Sequence, residues 1–358
     1  MKTSRLNRIL DMLSKNGVSQ MVITDPYTIY YLTGRFIQPG ERFLALYIST
    51  EGNHRFFIND LFTVNEDLGV EKVRFSDTSD PIPVLADCIS KSSPLGVDKN
   101  MAARFLLPLM ESGCAPRFLN TSFCVDAVRS HKDEEEQIFM REASRVNDLA
   151  MGQLKDLIRE GMTEEQVAAG LLDIYKSLGA QSYSFPPLVG FGSNAALGHY
   201  EPGTAVLKPG DCILIDIGCV KDGYCSDMTR TFFWKDVTPE HRKVYETVRK
   251  ANETAESIIR PGKRFCDLDN TARQIITDAG WGPFFTHRLG HSIGLEDHEF
   301  GDVSSTNTAV LEPGMTFSIE PGIYLEGDMG VRIEDLALVT ENGAEVLNHF
   351  SKELQVLG

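Results

Sequence analysis

An internal repeat constrains this chain more than any other feature. Ile158-Arg159-Glu160-Gly161 is followed by Val167, Ile174 and Gly179, at +6, +13 and +18 from its glycine. Ile259-Arg260-Pro261-Gly262 is followed by Leu268, Ile275 and Gly280 at the same three offsets, 101 residues further on. Glycine closing an apolar periodic stretch marks a helix end, so each copy reads as a helix–Gly–helix hairpin. The match continues into strands. Pro209-Gly210 precedes Ile215-Asp216-Ile217-Gly218 by four residues, and Pro313-Gly314 precedes Ile319-Glu320-Pro321-Gly322 by four, a separation of 104. The second half of the chain is therefore expected to be two α/β halves related by a pseudo-twofold. Each half delivers one acidic residue from the end of an apolar strand.

That placement points to metal. Asp216 and Glu320 sit in otherwise apolar strands, and a lone anion buried there is costly. Asp227 follows Asp216 by 11 residues across the Asp222-Gly223 turn, and Glu334 follows Glu320 by 14 across a turn holding Gly327 and Gly330. Both are expected on return strands. Four carboxylates then converge, and they repel unless cations lie between them. His291, in HRLGHSIG (287–294), supplies a fifth ligand. Oxygen-rich donors with one imidazole and no thiolate suit Mn²⁺, Fe²⁺, Co²⁺ or Zn²⁺. Five protein ligands suit two cations sharing carboxylates better than one cation with open positions.

Ahead of these halves, residues 1 to about 124 read as a mixed-sheet α/β domain: a helix over 5–16, then strands over 20–24, 43–49 and 55–58. A charged run, SHKDEEE (130–136), opens a long helix whose first turn is acidic, as the helix dipole favours. Its apolar positions are Ile138, Met140, Ala143, Val146, Leu149, Met151, Leu154 and Leu157. The domains are expected to be 1–125 and 126–358.

Composition narrows the class. A formal net charge of −16 argues against nucleic acid and against an anionic membrane surface. Seven cysteines with no C-x-x-C pair read as reduced thiols in a cytoplasmic protein. The basic N-terminus lacks the apolar run of a signal peptide, and no stretch approaches the length of a membrane span.

Together these residues resemble the creatinase/methionine aminopeptidase superfamily and its aminopeptidase P/prolidase branch, the M24 metallopeptidases. The resemblance is carried by DPYTIYYLTG (25–34), Asp216-Ile217-Gly218, SDMTRT (226–231), HRLGH (287–291), GLEDHE (294–299), IEPGIY (319–324) and GVRIED (330–335). It implies an α+β chain in which a smaller creatinase-type α/β domain precedes a pita-bread catalytic domain. It also implies two divalent cations, manganese first, with Asp227 and Glu334 bridging them. Asp216 completes one coordination sphere, and His291 with Glu320 the other. Glu320 doubles as general base, while His199 and His298 stabilise the tetrahedral intermediate and orient substrate. Arg332, two residues from Glu334, either holds substrate or makes a salt bridge to one of the acids.

The expected reaction is hydrolysis of an Xaa-Pro bond in a small peptide with proline second. The leading form is a dipeptidase (prolidase); an aminopeptidase P acting on longer peptides is the alternative. A dipeptidase needs a cation for the proline carboxylate, whereas an aminopeptidase needs an open exit. A metal-free creatinase-type hydrolase and a noncatalytic module are remoter, because all five ligands are intact. Relatives imply a homodimer.

Overall fold

The computed structural model describes residues 1–198 and 200–358. The chain divides into two compact units, 1–129 and 130–358.

The first unit is built on a six-stranded mixed sheet. Its centre is Gln20–Ile23, antiparallel to Leu44–Ser49 and parallel to Leu95–Val97. Every residue of Gln20–Ile23 is buried, as expected of a strand covered on both faces. The helix Thr3–Lys15 buries Leu6, Ile9 and Leu13, a stripe at helical spacing. The helix Pro26–Thr33 is capped by Asp25, which accepts from Thr28 N–H, and ends at Gly34 with φ 73°. That left-handed position suits glycine.

The second unit carries the repeat as two matching layers. Glu134–Leu157 opens with a capping box between Asp133 and Glu136. Met140, Ala143, Val146, Asn147, Ala150, Met151 and Leu154 line its buried face. Ile138, Leu149 and Leu157, apolar as well, lie off that face and are exposed. At 100° per residue Ile138 is about 200° round from Met140.

The sheet of the first half runs Val356–Leu357, Met228–Trp234, Cys212–Ile217, Leu188–Phe191. The second half has Glu299–Val303, Gly290–Ser292, Thr316–Ile319, Asp335–Val339, Ala344–Val346. Each half ties a helix to its acid-bearing strand. Asn147 Nδ2 donates to Ile217 O at 2.8 Å, and Asn252 Nδ2 donates to Ile319 O at 2.8 Å. Bridges join Thr163 to Val206 and Arg264 to Val310. Gly210 and Gly314 turn into their strands with φ 88° and 90°. Ile213, Leu214, Ile215 and Ile217 are fully buried, each worth about 1.5–3 kcal/mol of burial. The strand that ends at Asp216 is thereby anchored in core.

Asp227 and Glu334 are not inside return strands. Asp227 falls in the gap between the hairpin strand Tyr224–Cys225 and Met228–Trp234. Glu334 falls between Met329–Arg332 and Asp335–Val339. In each case the chain leaves a short ribbon and enters a sheet, and the carboxylate sits at the crossing. Among the described residues no helix is long and apolar enough to cross a membrane.

Candidate metal centre

The two strand-end acids occupy equivalent positions. Asp216 lies opposite Leu188 in the ladder, and Glu320 N–H donates to Leu289 O at 2.8 Å. Glu334 is held by its backbone: its N–H donates to Thr229 O at 3.1 Å, and its carbonyl accepts from Arg230 Nη1 at 2.6 Å. Arg230 also pairs with the fully buried Asp335 at 2.6 Å. A fixed backbone and a buried ion pair leave the Glu334 side chain one direction to project.

Donor atoms of Asp227, His291 and Glu334 lie within 4.8 Å of one another. His291 Nε2 is 3.5 Å from Asp227 Oδ2 and 3.6 Å from Glu320 Oε1. Ser318 Oγ donates to Glu320 Oε1 at 3.2 Å and accepts from His291 N–H at 3.0 Å, tying these two residues together. Asp216 Oδ2 accepts from Arg332 Nη2 at 2.7 Å. Thr229 Oγ1 donates to Glu334 Oε2 at 2.7 Å.

One oxygen of each of three acids is left over. Among the described residues, Asp216 Oδ1, Asp227 Oδ1 and Glu334 Oε1 are buried without a hydrogen-bond partner, where such atoms are normally satisfied. Two of the three, Asp227 and Glu334, are also crowded by like charge. Burial, and then the neighbouring Asp216 charge, holds Asp227 well above the usual carboxylate range. Burial and then Asp227 do the same to Glu334. Glu320 is pushed up to about 7, again by burial first, with His291 and Arg332 pulling the other way. Orphaned oxygens on mutually repelling acids beside one imidazole are the donor set that divalent cations satisfy. The residues fit metal.

The cluster opens into a cavity of about 810 Å³. His298 is on its wall, its ring centroid 4.0 Å from that of His291. The loop after Gly290–Ser292 therefore folds back over its own strand. His199 lies outside the described residues. Arg332 is buried, with Nη2 on Asp216, Nε on Thr229 Oγ1 at 3.0 Å and Nη1 on Tyr324 Oη at 2.9 Å. Its sequence alternatives meet here: it pairs with an acid and also borders the cavity.

Sequence reasoning missed several wall residues, including His287, Arg288 and Tyr324. Burial, then the Arg332 charge, pushes His287 down to about 4, so its ring is neutral at pH 7. Its Nδ1 donates to Arg288 O at 2.7 Å, which leaves Nε2 to accept from Tyr324 O–H at 2.9 Å. Asp216, Arg332, Tyr324 and His287 thus form one hydrogen-bonded chain along the cavity. HRLGH contains His287 and Arg288, but only His291 had a partner visible in sequence.

Comparison with known proteins agrees with this geometry. Residues 139–341 match the model of metallopeptidase family M24, and residues 5–131 match the creatinase/prolidase N-terminal domain. A putative dipeptidase, YkvY, of Bacillus subtilis is 35% identical, covering 99% of this chain and all of that protein. The crystal structure of a dipeptidase from Pyrococcus horikoshii superposes with a TM-score of 0.93 at 34% identity, over 99% of this chain and 100% of its own. A recombinant prolidase from Thermococcus sibiricus gives 0.92 at 30% identity, over 100% and 99%. The chain belongs to the M24 metallopeptidases, with a creatinase-type N-terminal domain ahead of a pita-bread catalytic domain, and it is a metal-dependent peptidase.

Proposed function

We propose that this chain is an Xaa-Pro dipeptidase whose centre holds two divalent cations. Asp216, Asp227, His291, Glu320 and Glu334 are its ligands, with Asp227 and Glu334 shared between the two. The observation that carries the reading is the trio of unpartnered buried oxygens, on Asp216, Asp227 and Glu334, at the floor of a substrate-sized cavity. When bound, the cations would neutralise the acids, polarise the scissile carbonyl and ease deprotonation of the attacking water. Manganese is assigned first because the donors are four carboxylates and one imidazole; cobalt, zinc and iron follow.

The protein's own groups divide the remaining work. Glu320 takes the proton of the attacking water and passes it to the departing proline nitrogen. A carboxylate placed beside the attacking water can accept a proton and return it, which suits both transfers. His298, over His291 on the cavity wall, donates to the oxyanion, and His199 is assigned the same task. Arg332 holds Asp216 in its ligating pose and faces bound substrate.

The choice of dipeptides over longer peptides rests on Arg288. Its side chain is exposed at the cavity, and no acid pairs with it among the described residues. An unpaired guanidinium is suited to a free carboxylate, here that of the C-terminal proline. The peptide and these cations are the partners assigned, with no nucleic acid or membrane. We assign the active form as a homodimer in a reducing cytoplasm. All seven cysteines are free and six of them buried, which supports the latter. Turnover of Ala-Pro against Ala-Pro-Ala with added Mn²⁺ is the direct test. Faster cleavage of the tripeptide would make the enzyme an aminopeptidase instead.

A further inference from the structure

Glu164 is a fully buried carboxylate that the mechanism does not use. Its Oε1 accepts from Phe191 N–H at 2.7 Å and from Asn194 Nδ2 at 2.9 Å. Its Oε2 accepts from Tyr200 O–H at 2.6 Å and from Gly203 N–H at 3.1 Å. All four donors belong to residues 191–203, at both ends and in between. That segment contributes Ala196, Gly198, Tyr200, Glu201 and Pro202 to the cavity wall.

The pseudo-twofold supplies a control within the same molecule. Thr163 and Arg264 are equivalent helix caps: each backbone N–H is taken by the side chain three residues on, Gln166 and Asp267, at 3.0 Å. Each also makes an isolated β-bridge to the matching segment, at Val206 and Val310. The residue after the cap is Glu164 in one half and Phe265 in the other. Phe265 is buried against Phe317, ring centroids 5.1 Å apart. The frame therefore accepts an apolar side chain at this position. A buried anion there costs desolvation unless it is fully hydrogen-bonded, and the half that carries it is the half whose loop it binds. A second anchor holds the same loop from beyond: a Cβ on Gly330 would lie 1.9 Å from Ala195 O. The 192–196 turn is thus seated on the strand that bears Arg332.

We propose that Glu164 is a positioning residue of the peptidase site. Its carboxylate locks residues 191–198 and 200–203 into the form that walls the substrate cavity, without touching substrate or metal itself. Burial and the bond to Glu164 push the Tyr200 phenol up to about 12, so the lock persists across the working pH range.

The proposal rests on the cavity being the peptide site. Wild-type turnover tests that premise, and the variant-to-wild-type ratio tests this inference. Glu164→Gln and Glu164→Leu would be compared by steady-state kinetics, Mn²⁺ content and amide exchange of the intact, metal-loaded protein. The expected result for Glu164→Gln is full Mn²⁺ content and faster exchange confined to residues 191–203. KM should rise and kcat/KM fall by about 10–100-fold, the scale of lost bonds to a charged group. Should Glu164→Leu fail to fold, Glu164→Gln carries the test alone. Wild-type kinetics and exchange in Glu164→Gln would overturn the proposal. So would an activity loss that merely tracks lost metal or lost folded protein.

Discussion

Arg332 Nη2 donates to Asp216 Oδ2 at 2.7 Å, while the other oxygen of Asp216 has no hydrogen-bond partner among the described residues. One side of that carboxylate is thus held by a fixed cation and the other is presented to the centre. Arg332→Lys keeps the charge but loses the planar fork. Its kcat/KM should fall about 10–100-fold with cation affinity weakened in parallel. Arg332→Ala should be worse, because it strands a buried anion at a cost of about 3–5 kcal/mol. Metal titration by calorimetry checks both, and unchanged affinity in Arg332→Ala would dissociate the pair from the site.

Asp227→Asn keeps the shape but removes the anion nearest His291. We expect stoichiometric metal to drop and kcat/KM to fall by about a thousandfold or more, given the several kcal/mol that bound cations supply. Elemental analysis alongside peptide turnover reads both. Wild-type turnover in this variant would refute the assigned ligand set.

The acids of the metal-free protein set a pH dependence with a definite sign. Glu320 moves from an ordinary 4.5 to about 7, and Asp227 and Glu334 move up too. Below their ordinary values these groups are neutral in both folded and unfolded chain, and they carry no penalty. Above them the unfolded chain gives up protons that the folded one retains, so stability falls as pH rises. For Glu320 that loss develops between pH 4.5 and about 7. Cations compete for the same oxygens, so loading releases protons and tightens with pH. Melting temperatures with chelator should decline across this interval, and Mn²⁺ should abolish the decline. A chelated protein that gained stability toward pH 8 would contradict the geometry.

Arg288→Ala should raise KM for Ala-Pro about tenfold or more and leave Ala-Pro-amide unchanged, since only the acid offers a carboxylate to bind. Equal effects on acid and amide would remove Arg288 from substrate recognition.

Gly330→Ala should destabilise the catalytic unit by about 1–3 kcal/mol, because the added methyl meets backbone rather than a side chain that can rotate away. Activity should fall further than the loss of folded protein accounts for. Denaturant unfolding and kinetics on the same preparation separate the two effects.

The two halves and the strand-end acids Asp216 and Glu320 were legible because each leaves a local mark: a glycine at a fixed offset, or an acid where an apolar residue belongs. Glu164 left none. After Thr163 and before Gln166 it looks like any acid in a helix's first turn. Its meaning comes from donors 27 to 39 residues away, which no periodicity reports. Arg288 was hidden inside a motif whose histidines drew the attention. Asp227 and Glu334 were placed within strands because a turn followed by apolar residues implies a ladder. It does not say that the ladder changes partner at that residue.

That change of partner bears on how faithfully the site assembles. Asp227 is flanked by the hairpin register Val220↔Cys225 on one side and by Met228↔Ile217 on the other. Glu334 is flanked by Gly322↔Arg332 and by Ile319↔Asp335. A one-residue slip would turn a strand's side chains to the opposite face, yet each of these two acids is fixed by two independent alignments. A chain misaligned in one of them cannot slide its acid into place without breaking the other. With the proposed ligand set, a form misaligned in either register would lack the converged acids and should take up less cation.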